Sequence, residues 1–301
     1  MSDGGEGFLE CFPGERHVVE LEGPLGRLIE VPFVLYEQHQ RRIAIAESAH
    51  AIGRFLVPDP SSAAAINLSS APIGHLLLHL QTLGVQGIQL GIGGTATSDG
   101  GRGAATVLLS EGGLKVDLQI AVDIDLPYAR AIDFALQKGI SAEDLPTLAR
   151  ELEVTRSWLY ATTSVDPGPL AGAGAGGGLG GALLALGATV VSGAAAAAAG
   201  RGLDEVLPQA RALITGEGRL DHTSFEGKVI GWLLAHVGHE IPVAIVCGEA
   251  TPDALEHVAG LDRPITILDL SARFGSEQSL TRPSELATNA VLSLLQSGGL
   301  G

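Results

Sequence analysis

The sequence predicts an α/β protein built on a parallel sheet covered by helices, and three observations support this. From about residue 70 onward, β-rich and helix-like segments alternate, the order that parallel strands joined by helical crossovers require. Apolar residues make up 46 % of the 301 and charged residues 17 %, material for one large core or two ordinary ones. The 42 glycines, roughly twice average usage, cluster after expected strands instead of spreading evenly.

Taken in order, residues 17–47 read as strands. Residues 27–36 (RLIEVPFVLY) and 41–47 (RRIAIAE) are rich in β-branched and aromatic side chains, and Gly23-Pro24 marks a turn between them and Val18-Val19. The Leu-rich 73–83 predicts a helix, 85–92 (VQGIQLGI) a strand, 100–111 a helix, 117–124 (DLQIAVDI) a strand, and 129–137 a helical segment. A helix is expected over 144–160 with a break near Pro146. Residues 177–200 predict a small-residue helix, a short strand and another helix. Strand 210–215, helix 226–237, strands 241–247 and 264–269 and a last helix near 283–296 complete the chain, without a fixed-period repeat or a long linker.

Composition excludes several functions. A net charge of −16 opposes non-specific nucleic-acid binding and a polybasic membrane anchor, both of which need Lys and Arg. The glycines follow no Gly-X-Y period, which excludes collagen. Cys11 and Cys247 have neither metal spacing nor a disulfide framework, and Met1 to Glu6 is acidic and glycine-rich, unlike a signal peptide. Residues 167–200 carry no charge, but they are mostly Gly and Ala and include Pro167 and Pro169, a poor match to a membrane span. A cytoplasmic protein acting on a small molecule is expected, with neither nucleic acid nor membrane as partner; monomer and homodimer both stay open.

Three glycine clusters carry the candidate chemistry. Residues 91–103 (GIGGTATSDGGRG) follow a strand and precede a helix, an arrangement that presents backbone N–H groups and a favourable helix dipole to an anion. Thr95, Thr97 and Ser98 add hydroxyls and Asp99 a carboxylate; the alternative is a plain helix cap using Ser98 or Asp99. Residues 172–181 (GAGAGGGLGG) contain Gly-x-Gly-x-x-Gly spacings, but no strand precedes them, so a dinucleotide fingerprint is poorly supported. They suit a backbone-lined substrate loop or close packing of small-residue helices. In 213–228 (LITGEGRLDHTSFEGK), a turn Gly216-Glu217-Gly218-Arg219 is expected beyond the end of strand 210–215, where α/β sheets bind ligands. Glu217 and Asp221 can hold Mg²⁺, and Arg219 and Lys228 can meet phosphate charge; the alternative is a surface turn with a local ion pair. It is not a Walker A loop, because His222 and Val229 stand where that motif needs Gly and Ser or Thr. Lys115, Lys138 and Lys228 are the only lysines. His75 and His79, four apart on a Leu-rich helix, lack a third ligand and read as structural. No Gly-x-Ser-x-Gly elbow is present.

At these clusters the sequence resembles the bacterial glycerate kinase family, the type that uses ATP and D-glycerate. The family's Met-Ala-Asp-Gly-Gly-Glu-Gly box stands at Met1 to Gly7 with Ser2 replacing Ala, and its Gly-Ile-Gly-Gly box at 91–101. Its Gly-Ala-Gly-Ala run is matched by 172–180, and its Ile-Thr-Gly-Glu-Gly-Arg-x-Asp…Gly-Lys stretch by 214–221 and 227–228. The family pattern opens earlier, with a strand ending in Ala-Pro-Asp-Ser-Phe-Lys, a segment this chain is expected to lack. Asp123-Ile124-Asp125-Leu126-Pro127-Tyr128 stands where the family has Asp-Val-Asp-Asn-Pro-Leu.

The resemblance implies two α/β domains, one Rossmann-like with a mostly parallel sheet, and a cleft between them. Residues 1–15 with 203–301 would form the Rossmann-like domain, and 16–202 the second domain carrying the 91–103 and 172–181 loops. It implies γ-phosphoryl transfer from Mg·ATP to a hydroxyl of D-glycerate, with ATP and Mg²⁺ as cofactors. Asp99 is then expected as base or orienting group, with Arg219 and Lys228 stabilising charge. Asp3, Gly4, Gly5, Glu6, Gly93, Gly94, Thr95, Thr97, Gly100, Gly101, Gly174, Gly176, Gly177, Gly216 and Gly218 are expected to contact substrate or phosphate, and Glu217, Asp221 and Asp123 to hold metal. The alternatives are a kinase-like binder without turnover and a kinase for another hydroxy acid.

Overall fold

The computed structural model describes residue 2 and residues 4–38, 40–122 and 126–300. The chain forms two compact units, Met1–Arg201 and Gly202–Gly301. In the first, strands β1 (Glu15–Glu22), β2 (Leu28–Gln38), β3 (Arg41–Glu47), β4 (Gly87–Gly91), β5 (Asp117–Val122) and β6 (Thr189–Ser192) lie in sequential order. The β1–β2 and β2–β3 pairs are antiparallel, and the three pairs from β3 to β6 are parallel. The expected α/β class with a mostly parallel sheet is therefore what the chain adopts.

Period-2 alternation divides the strand residues between two cores. Val31, Phe33, Leu35, Ala44, Ala46, Ile88, Leu90, Leu118, Ile120 and Val122 face one side and meet four helices there. Short helices α1 (Ser48–Ile52) and α2 (Ser62–Ile66) precede α3 (Ala71–Thr82), and α4 (Arg102–Ser110) follows β4. Helix α5 (Leu145–Thr163) leads to α6 (Leu179–Ala185), and α7 (Gly193–Gly200) follows β6. Ile73, Leu76, Leu77 and Leu80 of α3, Leu108 of α4 and Leu183 of α6 fill the first core. Each such Leu contributes about 1.5–3 kcal/mol by burial.

The other face, Val34, Ile43, Ile45 and Ala121, is covered by Phe8, Leu9, Cys11 and Phe12 with Ala196 and Ala197 of α7. This corrects the expectation for residues 1–15. They belong with the first unit, because without Phe8 and Phe12 an apolar sheet face would be open to water.

Three expected elements differ in detail. Pro146 does not break α5, because it sits in the first helical turn, where its missing N–H has no intrahelical partner anyway. The segment 129–137 forms 3₁₀ turns, Tyr128–Phe134 and Leu136–Lys138, instead of an α-helix. Ser62–Thr82 is the one described stretch long and apolar enough by composition to cross a membrane; half of it is buried inside the fold, and it is split between α2 and α3.

The second unit holds a parallel sheet of β7 (Leu213–Leu220), β8 (Val243–Ala250) and β9 (Ile265–Asp269). Helix α8 (Leu203–Val206) precedes β7, α9 (Val229–His236) and α10 (Pro252–Ala259) flank β8, and α11 (Leu270–Phe274), α12 (Ser276–Thr281) and α13 (Pro283–Gln296) follow β9. Leu220, Val243 and Ile245 pack on Ile230 and Ala254, while Leu268 packs on Leu286 and Ala290.

Candidate active site

The carboxyl ends of β3, β4 and β5 bring three distant glycine-rich segments together. Gly5 lies against the loop after β4 so closely that a Cβ on Gly93 would stand 2.6 Å from the Gly5 Cα; only glycine permits that approach. Gly93 is pinned from the other side by the Ser48 hydroxyl, 3.2 Å from both its N–H and its carbonyl. The third segment closes the ring: the Gly100 N–H donates to the Gly177 carbonyl (3.0 Å), and Gly177, at φ +71°, lies directly on the Thr97 carbonyl. Gly174 donates to Leu126 O at 2.8 Å. Buried Glu47, at the end of β3, accepts from the Leu9 N–H at 2.6 Å and faces His50 Nε2 at 3.5 Å, tying the N-terminal segment to the sheet. Burial raises its carboxyl above the usual range, against the Leu9 bond and the His50 charge.

These segments enclose a cavity of about 310 Å³ whose walls include Gly5, Gly93, Gly94, Thr95, Gly176 and Gly177. Gly4, Thr97, Gly100, Gly101 and Gly174 lie outside its lining and hold the wall in place. Glu6 lies in an adjoining space of about 650 Å³ with Asp59.

Two cations, Lys138 and Arg54, line both spaces, and neither was among the expected site residues. Lys138 is 7 % exposed; its Nζ donates to Thr95 Oγ1 (3.1 Å) and to the Thr97 carbonyl (2.7 Å). Burial pulls the ammonium down to about 8, with the Asp99 charge opposing this and Arg54 adding to it. Arg54 is fixed by its own backbone: its N–H donates to the Gly94 carbonyl (3.0 Å), beside a bridge between Gly53 and Thr95. Two signals for Lys138 were available in the sequence: the scarcity of lysine, and its place in Leu136-Gln137-Lys138-Gly139, where the family it resembles has a Gly-Pro-Gln-Lys-Gly region.

Asp99 has a different position from the one expected of a free base. Its Oδ2 accepts from the Ser70 N–H (2.8 Å), the Ser70 hydroxyl (2.8 Å) and the Gly103 N–H (3.0 Å), and its Oδ1 from the Gly101 N–H (3.0 Å). Ser70 caps α3 and Gly101 caps α4, so one carboxylate neutralises two helix N-termini and sets the course of the 91–103 loop. Asp99 does not line the cavity. Behind it, the Tyr128 hydroxyl donates to the Gly100 carbonyl at 3.0 Å, and burial together with the Asp99 charge raises its phenol well above the usual value. Thr97 Oγ1 and Ser98 Oγ are buried without a hydrogen-bond partner.

In the second unit the expected turn at 216–219 is strand. The β7–β8 ladder runs on through Glu217↔Cys247 and Arg219↔Glu249, because pairing with β8 outweighs the weak strand preference of glycine. Glu217 and Asp221 are thus separated by roughly 13 Å of extended chain, too far to share one ion. Asp221 instead caps the 3₁₀ turn His222–Phe225, accepting from Thr223 N (2.9 Å) and Thr223 Oγ1 (2.6 Å); the Thr223 hydroxyl holds its carboxyl below the usual range. Lys228 Nζ donates to the same hydroxyl at 3.0 Å. Gly216, Glu217, Gly218 and Arg219 do line a separate cavity of about 670 Å³ at the carboxyl ends of β7 and β8, walled by Val246 and Leu280. Among the described residues no group of three acidic, His or Cys side chains is placed to hold a metal. His79 packs edge-on against Phe33, 6.1 Å between centroids. Asp3 and Asp123 lie outside the described residues.

The sequence profile described as the glycerate kinase family matches residues 1–111 and 109–296. A glycerate kinase of Halalkalibacterium halodurans is 33 % identical over 287 residues, covering 82 % of this chain and 75 % of that protein. The glycerate 2-kinase of Escherichia coli K12 is 29 % identical, covering 89 % of this chain and 80 % of the relative. A crystal structure from Salmonella typhimurium LT2, assigned as glycerate kinase 2, aligns with a TM-score of 0.71 at 28 % identity, over 99 % of this chain and 88 % of the other. With matches running through all four glycine-rich segments, the chain belongs to the glycerate kinase family.

Proposed function

We propose that this chain is a cytoplasmic enzyme that transfers the γ-phosphoryl group of ATP to a hydroxyl of D-glycerate. The observation that carries this reading is the convergence of the three N-terminal glycine segments on one cavity of about 310 Å³ that holds the buried Lys138 ammonium. That volume lies at the small end of ligand pockets, suited to a three-carbon acid. Phosphoryl transfer depends mainly on positioning and charge stabilisation, which a wall of interlocked backbone provides. In this reading Asp99 acts by positioning the 91–103 loop, not by taking the proton.

The nucleotide is assigned to the strand-end cavity of the second unit, where Gly216 and Gly218 expose backbone and Arg219 can meet phosphate charge. Mg²⁺ is expected to arrive on the nucleotide's phosphates, since Glu217 and Asp221 do not converge, and no step is routed through it. The test is incubation of the purified chain with Mg·ATP and D-glycerate. ADP and phosphoglycerate in equal amounts are the expected result; binding of D-glycerate without either product supports the non-catalytic alternative and overturns the kinase reading.

A further inference from the structure

We propose that Lys138 and Arg54 form a clamp for the acceptor's carboxylate, which makes the site selective for small hydroxy acids over neutral polyols. The inference rests on placing the acceptor in the N-terminal unit's cavity, and it assigns a role to two residues that were not among the expected site residues. A lysine ammonium has three donors. Thr95 and the Thr97 carbonyl take two of them, which leaves one at the cavity wall. The Arg54 guanidinium makes no ion pair among the described residues, and it lines the same cavity.

Two cations turned toward one small space repel each other, and burial adds a desolvation cost for Lys138. An anion between them relieves both, with charge-assisted hydrogen bonds in place of lost water. Asp99, whose charge acts on Lys138, is unavailable for this because its oxygens are committed to Ser70, Gly101 and Gly103. A carboxylate fits better than a triphosphate: the cavity is small, and Glu6 and Asp59 in the adjoining space would repel a polyanion. The backbone of both cations is held by short local structure, Lys138 at the end of a 3₁₀ turn closed by Gly139 and Arg54 beside the Gly53–Thr95 bridge, with its N–H on the Gly94 carbonyl. The clamp therefore needs little reorganisation to receive its ligand.

The test compares wild type with Lys138→Met, which keeps a long apolar stem at a buried position, and Arg54→Gln, at an exposed one. D-glycerate and its neutral analogue glyceramide serve as acceptors, and melting curves check folding. Each substitution is expected to raise KM for D-glycerate by about 10- to 100-fold, the worth of a hydrogen bond to a charged group, with KM for ATP unchanged. The preference for D-glycerate over glyceramide should collapse by the same factor. A rise in KM for ATP instead, or an unchanged KM for D-glycerate in Arg54→Gln, overturns the clamp while leaving the kinase reading intact. If the wild type turns over neither acceptor, calorimetric binding of D-glycerate that is lost in both variants keeps the clamp, and no binding by the wild type removes it. Should Lys138→Met fail to fold, Arg54→Gln decides alone.

Discussion

Two glycine-rich segments of similar appearance, 172–181 and 213–228, occupy opposite physical situations. In the first, Gly177 lies on the Thr97 carbonyl, and a Cβ on Gly178 would stand 2.7 Å from the Gly100 Cα. In the second, Gly216 alone lies close to backbone, at the Val246 carbonyl, whereas a Cβ on Gly218 or Gly227 would meet nothing within 4 Å, and Gly218 is an ordinary strand residue between paired Glu217 and Arg219. In one place glycine lets two backbone segments touch and so walls a cavity; in the other it leaves a strand end uncovered beside one. Glycine content locates both segments without distinguishing these uses, and the distinction decides which substitutions are tolerated.

The largest expected effect is Gly177→Ala, which meets both a positive φ and a collision with backbone. It should destabilise the protein by about 3 kcal/mol, read by denaturant unfolding. The matched Gly218→Ala should stay within roughly 1 kcal/mol of wild type, and an equal cost at the two positions would erase the contrast. Next is Asp99→Asn. An amide nitrogen cannot accept from the N–H groups it would face, so a loss of about 2–3 kcal/mol is expected. Asp221→Ala removes the equivalent arrangement in the second unit, a single capping box whose side-chain bonds to Thr223 both go to Oδ1, and should cost only about 1 kcal/mol.

Lys138 gives the comparison a pH dependence. Its ammonium titrates near 8 in the folded chain against 10.5 when unperturbed, so between these values the unfolded chain binds more protons. Stability should therefore rise with pH across that window in wild type relative to Lys138→Met, by roughly 3 kcal/mol in all. A difference that stays flat from pH 8 to 10.5 would mean that Lys138 is not desolvated.

Much of the fold was legible because its causes are local. Strands β4 and β5 carry Ile88, Leu90, Leu118, Ile120 and Val122 at alternate positions, and the Leu-rich spacing of α3 fills the core they face. What escaped depends on contacts between distant residues. The turn ending at Lys138 has no periodicity, and the burial of that residue comes from Thr95 and Thr97, some forty positions earlier. Asp99 looked like a base because its partner Ser70 lies 29 residues away. Residues 8–12 reveal their place only once an uncovered face of the sheet is known to exist. The glycines of β7 mimic a turn, and only the ladder to β8 shows that they are strand.

The central claim, that the acceptor sits among the interlocked glycines of the N-terminal unit, can be read by hydrogen exchange with and without D-glycerate. Slower exchange in residues 92–101 and 174–178 is the expected result. Protection confined to 216–220 and 246–249 would contradict it and move the acceptor to the strand ends of the second unit.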